Sequence, residues 1–232
     1  MGACRGSAGA SGTGRRTAVV IAPHPDDETL ACGGTIVHRL RAGWRVVVVF
    51  VTDGRRSHAQ AFGIYQEPSP AELAVIRRGE ARGACSVLGI AADDLVFLGV
   101  EASALAWGPV TATIAPVKRA IRDAQPVSEL FMPHPSDGHA THRATHAVVK
   151  KALSALGLSP VLYQYLVWSE GIDEPCGSRV DIDIAEVLPI KRAAIDRYTS
   201  QVALLTSAQE KPVLAEAFLA RFRQSPIETF WR

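Results

Sequence analysis

Residues 18–28 read AVVIAPHPDDE, a compact run of mostly β-branched residues that ends at Pro23 and opens into a loop of one imidazole and three acids. A short continuous apolar run is typical of a strand buried on both faces, as in a parallel sheet covered by helices. A segment with helical spacing, 29–42, follows the loop and stops at Gly43. A second apolar run, 45–51 (RVVVVFV), comes directly after it. The order strand, helix, strand predicts an α/β fold.

The rest of the chain repeats this alternation. Further strands are predicted at 95–98, 129–132, 161–167 and 181–184, and further helices at 70–88, 110–124, 140–156 and from 188 to about 205. The pattern implies right-handed crossovers and a mostly parallel open sheet with helices on both faces. We therefore predict one Rossmann-like domain over 15–232, preceded by a flexible Gly-, Ala- and Ser-rich tail, 1–14. In such sheets ligands bind outside the carboxyl ends of the strands.

Composition excludes several classes of protein. The net charge is +2 and the basic residues form no long cluster, so no nucleic-acid partner is predicted. No apolar run reaches the roughly 20 residues of a membrane span. Four widely spaced cysteines without a CxxC pair favour free thiols in a reducing cytoplasm (Cys4, Cys32, Cys85 and Cys176). The oligomeric state is open, and a homo-oligomer is compatible with the sequence.

The loop after the first strand crowds His24, Asp26, Asp27 and Glu28 into five positions. Carboxylates placed together raise the electrostatic energy unless a cation or a proton offsets it, and a divalent metal does so directly. Histidine nitrogen with aspartate oxygen is a suitable ligand set for zinc. The alternative is that the acids only cap the following helix, where negative charge is favourable. Capping does not account for His24, which is held between two prolines.

A second cluster follows the predicted strand 129–132. It contains five residues that can ligate a metal within fourteen positions (His134, Asp137, His139, His142 and His146). Two loops that each follow a buried strand can converge on one site in a parallel sheet. His146 lies four positions after His142, which is also zinc-ligand spacing on a helix.

The two clusters resemble known signatures. Residues 24–28, HPDDE, are similar to the HPDDE signature of the PIG-L-like (LmbE-like) N-acetylglucosaminyl deacetylase family, and His139-x-x-His142 is similar to its second signature. The resemblance covers about 19–202. It includes Thr52-Asp53-Gly54, Arg77-x-x-Glu80, Leu88-Gly89 and a C-terminal helix with Lys191, Ala194, Tyr198 and Gln201.

The resemblance implies roles for five residues. His24, Asp27 and His142 would bind zinc, Asp26 would be the general base, and His139 would be the acid or oxyanion-stabilising group, in its protonated form. Three protein ligands leave a fourth position for water, as a catalytic zinc requires. Either Asp26 or His139 would protonate the leaving amine. The same ligand set could hold Fe²⁺ or another divalent ion.

The second signature departs from the family pattern. The family often has HPDH where this chain has His139-Ala140-Thr141-His142, so the aspartate that could orient a catalytic histidine is missing. Asp137 or Thr141 could perform that task. Three residues are predicted to contact substrate. Arg77 would contact a phosphate or sugar hydroxyl, Asp53 would hold either the metal loop or the substrate by hydrogen bonding, and Asp137 is the third.

The predicted function is zinc-dependent hydrolysis of the linear amide bond of an N-acetylglucosamine-type conjugate. The same site could hydrolyse another small N-acyl amide. A non-catalytic metal- or sugar-binding protein on this scaffold is a further alternative, although Asp26 is not needed merely to bind zinc. A nucleotide-dependent transferase is disfavoured because no glycine-rich phosphate loop occurs, and a serine triad because no GxSxG occurs.

Overall fold

The computed structural model describes residues 15–170 and 175–232, so the predicted tail lies outside the described part of the chain. The strands are β1 Thr17–Ala22, β2 Arg45–Thr52, β3 Leu95–Val100, β4 Val127–Pro133, β5 Val161–Tyr165, β6 Arg179–Asp183 and β7 Ile227–Trp231. The helices are α1 Asp27–Arg41, α2 Ser57–Phe62, α3 Pro70–Leu88, α4 Ala102–Trp107, α5 Thr111–Asp123, α6 Ala140–Leu156, α7 Leu188–Ile195, α8 Thr199–Val202 and α9 Glu216–Gln224.

The strands form one sheet in the order β3-β2-β1-β4-β5-β7-β6. The first five strands of this order are parallel, while β7 is antiparallel to both of its neighbours, β5 and β6. The mostly parallel α/β sheet predicted from the sequence is confirmed. Because β1 and β4 are adjacent, the loops after them start side by side at the carboxyl edge of the sheet.

The central strand β1 is buried on both faces, as its apolar run predicts. Val20 lies in a core formed with α1, α3 and α7, whereas Val19 and Ile21 face a second core formed with α5 and α6. All six residues of the strand are buried. The two cores fix the strand in the sheet, and with it the position of the loop that starts at Pro23.

Helix ends follow local chemistry in several places. The helices α3 and α6 have the predicted bounds. Ser69 and Glu72 form a capping box at the start of α3, which ends at Gly89 with φ 91°. The predicted helix from 188 to about 205 is instead two helices, α7 and α8. The carboxylate of Glu80, on α3, accepts hydrogen bonds from the Ser200 amide (2.7 Å) and the Thr199 hydroxyl (2.8 Å), and this separate cap begins α8.

Candidate metal-dependent active site

Three ligand-type side chains meet where the β1–α1 and β4–α6 loops converge. Asp27 Oδ2 lies 3.2 Å from His24 Nδ1 and 3.2 Å from His142 Nε2. The two histidine nitrogens are 3.3 Å apart. The three atoms therefore form a nearly equilateral triangle. A ring nitrogen of His139 lies within 4.8 Å of one from His24 and one from His142.

The triangle fits a divalent cation. A tetrahedral zinc with bonds of about 2.0–2.1 Å keeps its ligand atoms about 3.3 Å apart. The electrostatics agree with this fit. Although burial opposes it, Asp27 and Asp137 raise the pKa of His142 to about 10. The buried acids thus stabilise positive charge between them, which is what a metal would supply.

Asp26 stands beside the triangle in an unusual backbone conformation. Its φ is 129°, a region that side-chain-bearing residues rarely adopt. Asp26 Oδ2 accepts a hydrogen bond from Arg77 Nη2 at 2.8 Å, and its amide donates to Glu28 Oε2 at 3.1 Å. Burial, opposed by Arg77 and reinforced by Asp27, raises the pKa of Asp26 well above its ordinary value. A raised carboxyl pKa is the direction expected of a general base.

Glu28 supports this conformation by accepting the hydrogen bond of the Asp26 amide. Its Oε1 accepts hydrogen bonds of 2.5 Å from the Thr29 and Tyr198 hydroxyls. Burial raises the pKa of Glu28 to about 6. Tyr198 was noted in the sequence only through the family resemblance. Here it links the second half of the chain to the backbone of Asp26 through a single carboxylate.

His139 is the N-cap of α6. Its Nδ1 accepts a hydrogen bond from the Thr141 amide at 3.3 Å, so Nε2 carries the proton of the neutral ring. Burial, with the positive charges of His24 and His142 nearby, lowers the pKa of His139 to about 4. The family resemblance implies a protonated ring, whereas the low pKa favours the neutral form. The neutral ring still presents one N–H donor, which is sufficient to contact an oxyanion.

Asp137 lies behind His142. Its side chain is fully buried, and its Oδ2 accepts hydrogen bonds from the amides of Val167 (2.9 Å) and Trp168 (3.2 Å). The same oxygen is 3.3 Å from His142 Nδ1, and Oδ1 accepts from the His139 amide at 2.9 Å. A buried carboxylate behind a ligand histidine fixes the orientation of its ring.

A family model described as PIG-L, GlcNAc-PI de-N-acetylase, matches residues 19–153, which include both loops. The chain belongs to the PIG-L family. It is 28% identical over 223 residues to a probable N-acetyl-alpha-D-glucosaminyl L-malate deacetylase 2 of Bacillus cereus, covering 93% of this chain and 97% of the relative. It is 26% identical to a 1D-myo-inositol 2-acetamido-2-deoxy-alpha-D-glucopyranoside deacetylase of Rhodococcus jostii, covering 87% and 89%.

Solved structures share this PIG-L fold. The zinc-inhibited form of teicoplanin deacetylase Orf2 superposes with a TM-score of 0.67 at 18% sequence identity, covering 93% of this chain and 97% of that one. Within the described ranges, no helix is long and apolar enough to cross a membrane.

Other predicted residues of this PIG-L site lie at varying distances from the triangle. Arg77 is buried, donates to the carbonyls of Pro25 and Gly54 as well as to Asp26, and lines the cavity. Asp53 is not brought to the cavity, because it faces Arg55 and lines a neighbouring one. His146 lies outside the triangle, with Nδ1 3.0 Å from the Pro133 carbonyl oxygen.

The cavity over the triangle has a volume of about 290 Å³. His24, Asp26, Asp27 and His139 form its floor. The lining also includes residues that no sequence pattern marks as functional. Val213, Leu214 and Phe218 follow the last predicted element, and Gln60 and Ala61 belong to α2, which was not predicted.

Proposed function

We propose that this protein is a zinc-dependent hydrolase that removes the N-acetyl group from an N-acetylglucosamine-type conjugate. The observation that carries the proposal is the triangle of His24, Asp27 and His142 donor atoms, with sides of 3.2 to 3.3 Å, beside the buried carboxylate of Asp26. A structural metal site has no need of such a base. With three protein ligands, a bound zinc would keep a fourth position for water, as a catalytic site requires.

The side chains divide the work of amide hydrolysis. Bound to His24, Asp27 and His142, zinc would supply Lewis acidity toward the acyl carbonyl and lower the pKa of water. Asp26 takes the proton of the attacking water. Its position is fixed by Arg77 at 2.8 Å and by its amide hydrogen bond to Glu28. His139 donates from Nε2 to the oxygen that becomes negatively charged.

Two supporting roles complete the proposal. Asp137 positions His142, because its Oδ2 lies 3.3 Å from His142 Nδ1. Asp137 thereby takes the role of the aspartate that is missing between His139 and His142. Arg77 acts mainly on Asp26, and its place in the cavity also allows contact with the sugar. Asp26, which holds the proton taken from the attacking water, gives it to the departing amine, because the neutral ring of His139 carries no acid proton.

The substrate class comes from the relatives. Their names specify deacetylation of N-acetylglucosamine joined to malate or to inositol. We extend the shared part, the N-acetylated amino sugar, to this chain. The ligand types favour zinc, and Fe²⁺ is the alternative ion. Cys32, Cys85 and Cys176 are free thiols in the structure, which supports a location in the cytoplasm.

The test is acetate release from a panel of N-acetylglucosamine conjugates by zinc-loaded wild type and Asp26→Ala. Loss of a general base costs about 10²- to 10⁴-fold in rate. We expect the variant to keep stoichiometric zinc and lose at least a hundredfold in kcat. Asp53→Ala is the matched control, because this loop aspartate lies outside the cavity. A zinc-loaded wild type that releases no acetate from any conjugate would refute the deacetylase proposal and favour the non-catalytic alternative.

A further inference from the structure

The cavity is lined by both polar and apolar side chains. Arg56, Ser57 and Gln201 are polar. The apolar side chains contributed by the second half of the chain are together called the apolar wall (Val167, Trp168, Val213, Leu214 and Phe218). All of the apolar wall lies after residue 153, beyond the segment that the family model matches. This wall is therefore a property of the chain rather than of the matched motifs.

The apolar wall begins beside the reacting groups. The ring centroids of His139 and Trp168 are 6.0 Å apart, and those of Trp168 and Phe218 are 4.5 Å apart with a 33° tilt. Trp168 and Phe218 are only partly buried, and both side chains line the cavity. A flat or aliphatic group that extends from the reacting amide past His139 would lie against their exposed parts and lose its contact with water.

The arginines that line the cavity are already paired. Arg77 donates to Asp26 at 2.8 Å, and Arg56 donates to Glu101 at 2.9 Å. Across the described residues that line the cavity, no arginine or lysine lacks a carboxylate partner. Arg221 lies over the Phe218 ring at 4.6 Å, but it lines a different cavity and donates to Ser169 and to the Val167 carbonyl. Within the cavity over the triangle, a carboxylate on the substrate would have to displace Glu101 or Asp26 to gain an arginine. A charged group that is desolvated without a partner weakens binding.

We infer that the preferred substrates are N-acylated amino sugars that carry an uncharged apolar group, rather than a carboxylated one, against Trp168 and Phe218. The inference rests on the proposed function. The apolar group can be the substituent on the anomeric carbon or an acyl chain longer than acetyl, since both extend from the reacting sugar. The malate conjugate named for one relative would then be a poor substrate here.

Binding of the amine products tests the first source without requiring turnover. Calorimetry measures the affinity of zinc-loaded protein for phenyl glucosaminide and for the glucosamine conjugate of malate. Wild type is used because its Asp26 is still paired with Arg77. Burial of an aromatic ring predicts that the phenyl compound binds at least about tenfold more tightly. Equal binding, or tighter binding of the malate conjugate, removes the anomeric source.

Competition tests the second source. N-butanoylglucosamine and N-acetylglucosamine are compared as competitors for the phenyl compound, and as substrates where turnover occurs. A several-fold preference for butanoyl assigns the wall to the acyl group. If neither the phenyl nor the butanoyl group is preferred, the inference is overturned. Such a result leaves the proposed function intact whenever acetate is released from any conjugate, so the two failures are distinguishable.

Variants locate the effect. Phe218→Ala is expected to abolish the preference for the apolar ligand. The affinity for the apolar ligand should fall about tenfold, while the affinity for the malate conjugate should change little. Phe222→Ala is the matched control, because its ring packs on Phe218 at 5.3 Å between centroids but does not line this cavity. If the two variants weaken binding equally, or if Phe218→Ala weakens both classes of ligand alike, the wall does not select the substrate.

Discussion

The metal end of the cavity and its apolar wall are built in opposite ways. At the metal end, Asp26, Asp27, Asp137 and His142 are buried, and their polar atoms contact one another or the backbone. In the wall, Trp168 and Phe218 are partly exposed and make ring contacts. The difference shows how one scaffold separates tasks, since a rigid charged cluster suits the reaction and an open apolar surface suits the variable part of a substrate.

The two regions are nevertheless joined at two points. Asp137 accepts hydrogen bonds from the amides of Val167 and Trp168, at the start of the wall, and also contacts His142. The Tyr198 hydroxyl donates a hydrogen bond to Glu28, which also accepts one from the Asp26 amide. Substitutions at these positions can therefore show how far the metal end depends on the second half of the chain.

Removal of a metal ligand is expected to have the largest effect. His142→Ala deletes one corner of the donor triangle and leaves Asp27 and Asp137 without the positive group between them. We expect bound zinc to fall below one tenth of an equivalent and acetate release to fall to background. Metal analysis after gel filtration, together with the acetate assay, measures both. Chelation of wild type should reproduce the loss, and added zinc should reverse it.

His146→Ala is the control for this prediction. His146 is also a histidine of α6, but its Nδ1 contacts the Pro133 carbonyl oxygen at 3.0 Å outside the triangle. Its removal should leave the zinc content and kcat unchanged. If His146→Ala loses zinc while His142→Ala retains it, the ligand set proposed here is wrong.

Loss of Asp137 should have an intermediate effect. In metal sites, removal of a carboxylate that orients a ligand histidine costs about 10- to 100-fold in metal affinity. Asp137→Ala also removes the acceptor of three backbone amides, so the melting temperature should fall. Zinc titration with a competing chelator measures the affinity of the folded protein.

Asp53→Ala is the matched control for Asp137→Ala, because it removes the same type of side chain at a position outside the cavity. Both aspartates were predicted to contact substrate, yet Asp53 pairs with Arg55 and lies in another cavity. We expect unchanged zinc affinity and KM for Asp53→Ala. An Asp137→Ala protein that binds zinc as tightly as wild type, with only KM raised, would return Asp137 to the substrate-binding role predicted from the sequence.

The sequence was informative where chemistry is local. Strand β1 and the five residues after it carry their own signal, because a strand buried on both faces needs a continuous apolar run and a metal needs clustered ligands. The C-terminal elements lack such signals. Helix α9 begins after Ala215 without a side-chain cap, and β7 pairs with β6 across distant positions, as in Asp181 with Thr229. Non-local pairing of this kind leaves little trace in a short window of sequence.

Residue roles show the same limit. Sequence patterns mark Arg77, in Arg77-x-x-Glu80, and Asp137, in the second cluster. Only the packing of α3 and of the loop after β5 reveals that Arg77 contacts Asp26 and Asp137 contacts His142. No local pattern predicts that Phe218 will lie against Trp168, fifty positions away in the chain.

Tyr198→Phe should have a smaller effect on catalysis. The change removes a buried 2.5 Å hydrogen bond to Glu28 and loosens the support of the Asp26 amide. A lost buried hydrogen bond is worth about 1 kcal/mol, so we expect kcat to fall about three- to tenfold with KM unchanged. Tyr165→Phe is the matched control, because its buried hydroxyl donates at 2.7 Å to the Ile21 carbonyl instead. Equal losses of kcat in both variants would show that Tyr198 has no specific effect on Asp26.

The smallest effect on catalysis is expected at the buried pair of Lys191 and Glu228. The Glu228 carboxylate accepts hydrogen bonds from Lys191 Nζ at 2.7 Å and from the Gly34 and Thr35 amides at 2.8 Å each. The pair is buried against α1, and neither residue lines the cavity over the triangle. Breaking a buried pair costs about 3–5 kcal/mol.

Glu228→Gln should therefore lower the melting temperature by roughly 6–20 °C, at 2–4 °C per kcal/mol for a chain of this size, with kcat unchanged at 25 °C. Glu186→Gln, in an exposed pair with Arg41, should melt with wild type. If Glu228→Gln instead lowers kcat in protein that is still folded, then the hydrogen bonds from α1 to Glu228 help to position Asp27 at the start of that helix. The metal end would then depend on the C-terminal strands more than its own hydrogen bonds indicate.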